Sequence, residues 1–130
     1  MAATELRAAV RHRDGAAVVD LTGDVDRSAA PVLEQAWNEA AVAGGPVLLN
    51  FEQVGYINST GIAVIVGLLA RARAEHRELA VYGLSEHYRQ IFTITKLSDF
   101  VGLYPDEETA VGETGHNGGG PVRTIQGGNR

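Results

Sequence analysis

Asn58-Ser59-Thr60-Gly61, followed by Ile62-Ala63-Val64-Ile65-Val66-Gly67-Leu68-Leu69-Ala70, is the stretch on which the reading turns. Ahead of it Val47-Leu48-Leu49-Asn50-Phe51 runs on through Val54 and Ile57 with strand-like composition, and behind it apolar residues continue at helical length. The tetrapeptide is therefore read as a short, exposed turn from a strand into a helix. Two hydroxyls then lie at a helix N-terminus, where unpaired N–H groups and the positive end of the macrodipole stabilise an anion such as phosphate. The ordinary alternative is capping, because Ser and Thr oxygens commonly accept from orphan N–H groups at this position.

Working outward, Leu6 to His12 alternates roughly in polarity, Asp14-Gly15 is a hairpin turn signal, and Ala16-Ala17-Val18-Val19-Asp20-Leu21 reads as a second strand paired to the first. Asp26-Arg27-Ser28 offers capping chemistry for a helix with Pro31 in its first turn. Its apolar positions Val32, Leu33, Ala36, Trp37, Ala40 and Ala41 recur at helical spacing, and it ends near Gly44-Gly45. Pro46 to Phe51 is nearly continuous apolar sequence, as expected of a central strand covered on both faces. Ile62 to Ala70 is apolar all round and is expected to be buried, whereas Arg71 to Arg77 is expected to be solvated.

Leu79-Ala80-Val81-Tyr82-Gly83 reads as another buried strand, and Ser85 caps a helix that continues to about Ile94. A short strand near Val101 to Tyr104 and a helical turn after Pro105-Asp106-Glu107-Glu108 close the domain at about Val111. Alternating strands and helices imply parallel crossovers, so the expected class is α/β: a mixed four- to five-stranded sheet packed against about four helices. Residues 1–111 form one domain on this reading. Residues 112–130 hold seven of the sixteen glycines and almost nothing large and apolar, and are expected to be a disordered tail.

Composition narrows the function. A chain of 130 residues with 45% hydrophobic content can bury a single core. Its net charge of −5, with scattered Lys and Arg, gives no footprint for nucleic acid and no polybasic segment for a membrane. No cysteine is present, so disulfides, thiolate metal sites and Cys nucleophiles are excluded. The N-terminal residues lack an apolar leader region and no window approaches a membrane span, so a cytoplasmic location is expected. His12, His76, His87 and His116 show no ligand-like spacing, and neither a metal nor a cofactor is expected. Ser59 lacks the pair of flanking glycines of a nucleophile elbow, with Ile57 at the first of the two positions, and His87 is read as a solvated helix residue rather than its base. The chain is not read as an enzyme.

Asp24 and Asp26 flank Val25 and in an extended stretch point to the same side. Asp26 is read as a cap for the first helix and Asp24 as free for a partner.

Together these segments resemble the STAS domain of bacterial anti-sigma factor antagonists. Leu21-Thr22-Gly23-Asp24-Val25-Asp26 resembles the family's entry to its first helix, and Leu48 to Ile57 its central strand. Most specific is Asn58-Ser59-Thr60-Gly61-Ile62-Ala63-Val64-Ile65, similar to the family's Asp-Ser-Ser/Thr-Gly-Leu-Gly-Val motif. The spacing of Arg89, Phe92, Leu97, Tyr104 and Ala110 is a weaker match. The resemblance implies the STAS fold and a switch. Unphosphorylated, such a protein binds an anti-sigma factor that is also a serine kinase of the histidine-kinase-like ATPase fold, and so frees a sigma factor. Phosphorylation of the serine, here Ser59 with Thr60 as second choice or N-cap, dissolves the complex, and a serine phosphatase would reverse it. Asp24, Asp26, Asn58, Ser59, Thr60 and Gly61 are the partner-binding residues so implied. Asn58 departs from the family's usual Asp, which leaves open an unswitched STAS scaffold or adaptor, stressosome-like or transporter-associated. A small nucleotide-binding or hydrolytic domain is the third class.

Overall fold

The computed structural model describes residues 4–115. Strands β1 (Arg7–Arg13) and β2 (Ala16–Val25) form an antiparallel hairpin in which Arg13 faces Ala16. The two residues between them, Asp14 (φ 51°) and Gly15 (φ 84°), both adopt positive φ. That is the backbone of a two-residue hairpin loop whose twist matches the strands, and Asp-Gly supports it at low cost. Then follow a 3₁₀ turn (Arg27–Ala29), α1 (Ala30–Ala41), β3 (Val47–Ile57), α2 (Ser59–Ala74), β4 (Leu79–Tyr82), α3 (Glu86–Ile94), a second 3₁₀ turn (Leu97–Asp99), β5 (Gly102–Tyr104) and α4 (Glu107–Glu113). The sheet is mixed. Its order is β1-β2-β3-β4-β5, with every pair after the first parallel.

Strands laid down in chain order have a consequence for the helices. Parallel crossovers turn right-handed, so successive crossover helices fall on the same face of the sheet. Accordingly Leu33, Ala36, Trp37 and Ala40 of α1, Ile65, Leu68, Leu69 and Ala72 of α2, and Phe92 of α3 share one core with Val19, Leu21, Leu49, Phe51 and Val81. Among the described residues the opposite face carries only α4, whose Ala110 packs with Val18, Leu48, Ala80 and Tyr82. β3 is central and buried on both faces through Phe51, as its near-continuous apolar run requires.

Side chains fix the ends of the layer. Trp37 is buried at 1% exposure yet its Nε1 donates to Glu75 Oε1 at 3.0 Å, and Arg77 donates to the carbonyls of Ala41, the last residue of α1, and of Gly45. Across the α4 face, Glu107 accepts from Arg11, Arg13 and the Tyr82 hydroxyl, while Asp20 accepts from Arg11 and Asn50. These arginines hold the Glu107 carboxyl down at about 2, and burial beside Glu107 raises the Tyr82 hydroxyl.

Two expectations change. The first half of α2 is not enclosed: Ala63, Val66 and Gly67 are exposed, because three helices lie side by side in one layer and none of the described residues covers the outer face of the middle one. At the C-terminal end, α4 runs to Glu113 and Thr114 is buried, so folded chain continues past the expected boundary at Val111. The remainder of the proposed tail, residues 116–130, lies outside the described residues, as does His116. No helix among the described residues is long and apolar enough to cross a membrane.

Candidate functional site

The site forms where the carboxyl ends of β2 and β3 meet the start of α2. Asn58 N–H donates to the Val25 carbonyl at 3.2 Å, which continues the parallel pairing of Val25 with Ile57. Gly61 lies against that same carbonyl and against Val25 Cγ1, so closely that a β-carbon at position 61 would overlap the backbone of β2. Only glycine lets the first turn of α2 sit on the end of β2. The motif residue is thus explained by a close approach, since Gly61 has no unusual φ.

Asn58 is the N-cap of α2. Its backbone is extended (φ −91°, ψ −178°), its carbonyl accepts from Ile62 N–H at 2.9 Å, and its Oδ1 accepts from Gly61 N–H at 2.7 Å and from the Thr60 hydroxyl at 2.8 Å. This corrects the expectation that Thr60 caps the helix. The helix begins at Ser59, so the capping place belongs to the residue before it, and Thr60 instead spends its hydroxyl proton on the cap. The cap needs an acceptor oxygen, and the Asn58 side-chain amide supplies one.

Ser59 is what remains. It is exposed, occupies the first position of α2, and its hydroxyl has no intramolecular partner among the described residues. The neighbouring backbone N–H groups of Ser59 and Thr60 lie too early in the helix for internal acceptors. The first turn of α2 contains no acidic side chain, so an anion on Ser59 meets the helix dipole without like charge from its own helix.

The acidic pair divides. Asp26 caps the 3₁₀ turn, accepting from Ser28 N–H at 2.9 Å and from the Ser28 hydroxyl, and these bonds hold its carboxyl below the usual range. The 3₁₀ turn in turn packs on α2, which brings Asp26 and Ser28 to the same end of the molecule as Ser59. Asp24 is not the free carboxylate expected. Its Oδ2 accepts from Thr4 N–H at 3.0 Å while its own N–H donates to the Thr4 carbonyl at 2.9 Å, so the residues before β1 continue the hairpin along it. Spacing within one strand could not show that a segment twenty residues earlier lies alongside.

One residue escaped the sequence. Ile57 N–H, at the end of β3, donates to the Tyr88 hydroxyl at 2.9 Å across from α3. Tyr88 thereby ties α3 to the strand just ahead of Ser59, while His87 is exposed with its ring edge-on to Tyr88 at 4.9 Å. No local signal marked Tyr88 out from His87. Both lie in the first turn of a capped helix, and only the rotation of α3 decides which faces β3.

A family model described as STAS domain matches residues 7–110. The anti-sigma-B factor antagonist of Listeria monocytogenes is 35% identical over 82 residues, covering 62% of this chain and 72% of that protein. The anti-sigma-B factor antagonist of Bacillus subtilis is 28% identical over 102 residues, covering 78% of this chain and 94% of that protein. Among solved structures, an anti-sigma factor antagonist from Mycobacterium paratuberculosis superimposes with a TM-score of 0.68 at 24% identity, covering 83% of this chain and 92% of that one, a likeness of fold.

Proposed function

Because the chain belongs to the STAS domain family, we propose that it acts as an anti-sigma factor antagonist switched at Ser59. In the unphosphorylated state it binds an anti-sigma factor and releases the sigma factor held there. The anti-sigma factor is also a serine kinase of the histidine-kinase-like ATPase fold. It transfers the γ-phosphoryl group of ATP to Ser59 Oγ, with loss of the hydroxyl proton and departure of ADP. A charge of about −2 in a desolvated interface is costly, whereas in the free domain water and the start of α2 satisfy it. The complex then separates without a change of fold, and a serine phosphatase returns the domain to its binding form.

The observation that carries this reading is the division of labour in Asn58-Ser59-Thr60. Asn58 does the capping and Thr60 is bonded to it, which leaves the Ser59 hydroxyl exposed and unengaged at the N-terminus of a helix. The test is to incubate the protein with ATP and each purified anti-sigma factor of the same genome and to measure intact mass. One added phosphate that persists in Thr60→Ala and is absent from Ser59→Ala supports the assignment. Phosphate mapped to Thr60 or to residues 116–130 overturns it.

A further inference from the structure

The exposed face of α2 does not end at Ser59. Ser59, Ala63, Val66, Ala70 and Arg73 follow one another at spacings of four, three, four and three, and all five are exposed, so they line one face of the helix. From Ser59 to Arg73 that face is about 21 Å long. At its far end it opens into a groove of about 210 Å3 between α2 and the 3₁₀ turn after α3, lined by Val66, Leu69, Ala70, Arg73, Leu97 and Phe100. The groove is apolar apart from one cation. Phe100 is 59% exposed and Val66 41%, both large apolar side chains left at the surface beside each other. The Arg73 guanidinium lies over the Phe100 ring, 5.3 Å from its centroid, and has no carboxylate partner among the described residues.

We infer that this groove is a second seat for the protein partner that reads Ser59, and that its occupant is an amphipathic helix of that partner. The helix would place apolar side chains between Val66, Leu97 and Phe100 and a carboxylate against Arg73. Two observations favour this occupant. A lone unpaired cation at the rim of an otherwise apolar groove calls for an acidic group set among apolar ones. The unbroken exposed face between Ser59 and Arg73 lets one partner cover both, and the length matches about fourteen residues of a facing helix. The inference rests on the reading of Ser59 as the partner-facing end of α2. It adds that phosphorylation acts on one end of a longer contact whose strength is set at the other.

The chain has no cysteine, so a single Ala70→Cys variant can be labelled uniquely with a bimane fluorophore, with Gln35→Cys on exposed α1 as a control. Titration with each purified anti-sigma factor of the same genome should shift the emission of the Ala70 label to the blue and leave the control unchanged. Phe100→Ala and Arg73→Ala should each weaken the Kd about tenfold or more, as expected for central contacts, with the melting temperature unchanged. A label at position 70 that stays solvated in a complex disrupted by Ser59→Glu overturns the groove and leaves the Ser59 reading standing. A buried label in a complex indifferent to Ser59→Glu does the reverse. Failure of every anti-sigma factor to bind overturns both. A blue shift of the protein alone that grows with its concentration assigns the groove to a second copy, and one lost on removal of residues 116–130 assigns it to the chain's own C-terminal segment; either overturns the inference.

Discussion

Gly61 and Val25, thirty-six residues apart in sequence, are in backbone contact: the α-carbon of one rests on the carbonyl of the other with no room for a side chain between. The contact fixes where α2 starts relative to β2, and hence where Ser59 points. Gly61→Ala must push the helix start off the strand end. A cost of about 1–3 kcal/mol or more is expected from overpacking against backbone that cannot yield. Urea denaturation should show it, together with loss of phosphate acceptance by Ser59 beyond what the lost stability explains. An alanine variant as stable as the wild type would mean that the strand end moves freely.

Asn58 provides a separate test of the cap. Asn58→Ala removes an acceptor bonded to Gly61 N–H and to the Thr60 hydroxyl and should cost about 0.5–2 kcal/mol. Asn58→Asp keeps the acceptor and adds a negative charge at the positive end of the helix, so it should be neutral or stabilising by about 0.3–1 kcal/mol, less so at high salt. The melting temperature should thus fall in Asn58→Ala and stay level or rise in Asn58→Asp. Equal destabilisation by both would show that the amide N–H₂ group, not Oδ1, matters.

Ser59→Ala and Thr60→Ala should also differ. The Ser59 hydroxyl has no internal partner, so its loss should leave stability within about 0.5 kcal/mol of wild type. Thr60→Ala withdraws one donor from an acceptor that retains Gly61 N–H, for a cost of about 0.5–1 kcal/mol. A larger loss in Ser59→Ala would show that Ser59 is structural.

How far the sequence foretold this arrangement depends on the range over which each feature is decided. The hairpin at Asp14-Gly15 and the cap Ser85 are local, set within about four residues, and they appear where their residue types place them, whereas Asp26, expected to cap the first helix, caps the 3₁₀ turn ahead of α1, whose own N-cap is Ala29 with no side-chain bond. Asn58, Ser59 and Thr60 are all acceptable caps, and sequence alone cannot choose among three in a row; the choice follows from where β3 ends against Val25. The Tyr88 bond to Ile57 and the Thr4 bond to Asp24 span 31 and 20 residues and depend on the completed fold. The apolar run Ile62 to Ala70 suggested full burial, but a one-layer arrangement of helices leaves its outer face open.

Gly67 lies within that open face. A β-carbon there would meet nothing within 4 Å, and its position is interior to α2. Gly67→Ala should therefore stabilise the domain by about 0.5–1 kcal/mol through helix propensity alone, seen as a melting temperature higher by a few degrees. No change, or a decrease, would show that the backbone at 67 is not regular helix in solution.

The acidic limit of stability should be set on the other side of the sheet. Glu107 accepts from Arg11, Arg13 and Tyr82, and its carboxyl is held at about 2 against an ordinary value of 4.5. A carboxylate whose folded value lies below its unfolded one stabilises the fold at pH above the unfolded value, and that contribution is lost as pH falls through the interval towards the folded value. For Glu107 the interval runs from about pH 5 down to about 2. Asp20 shares Arg11 and is lowered in the same direction, so it remains to hold Arg11 when Glu107 is removed. Glu107→Gln should then lower stability by about 1–2 kcal/mol at pH 7, allowing for the partial exposure of Arg11 and Arg13. The difference from wild type should shrink steadily as urea denaturation is repeated between pH 5 and pH 3. A gap that stays constant over that range would show that Glu107 contributes through packing of α4 rather than through its charge.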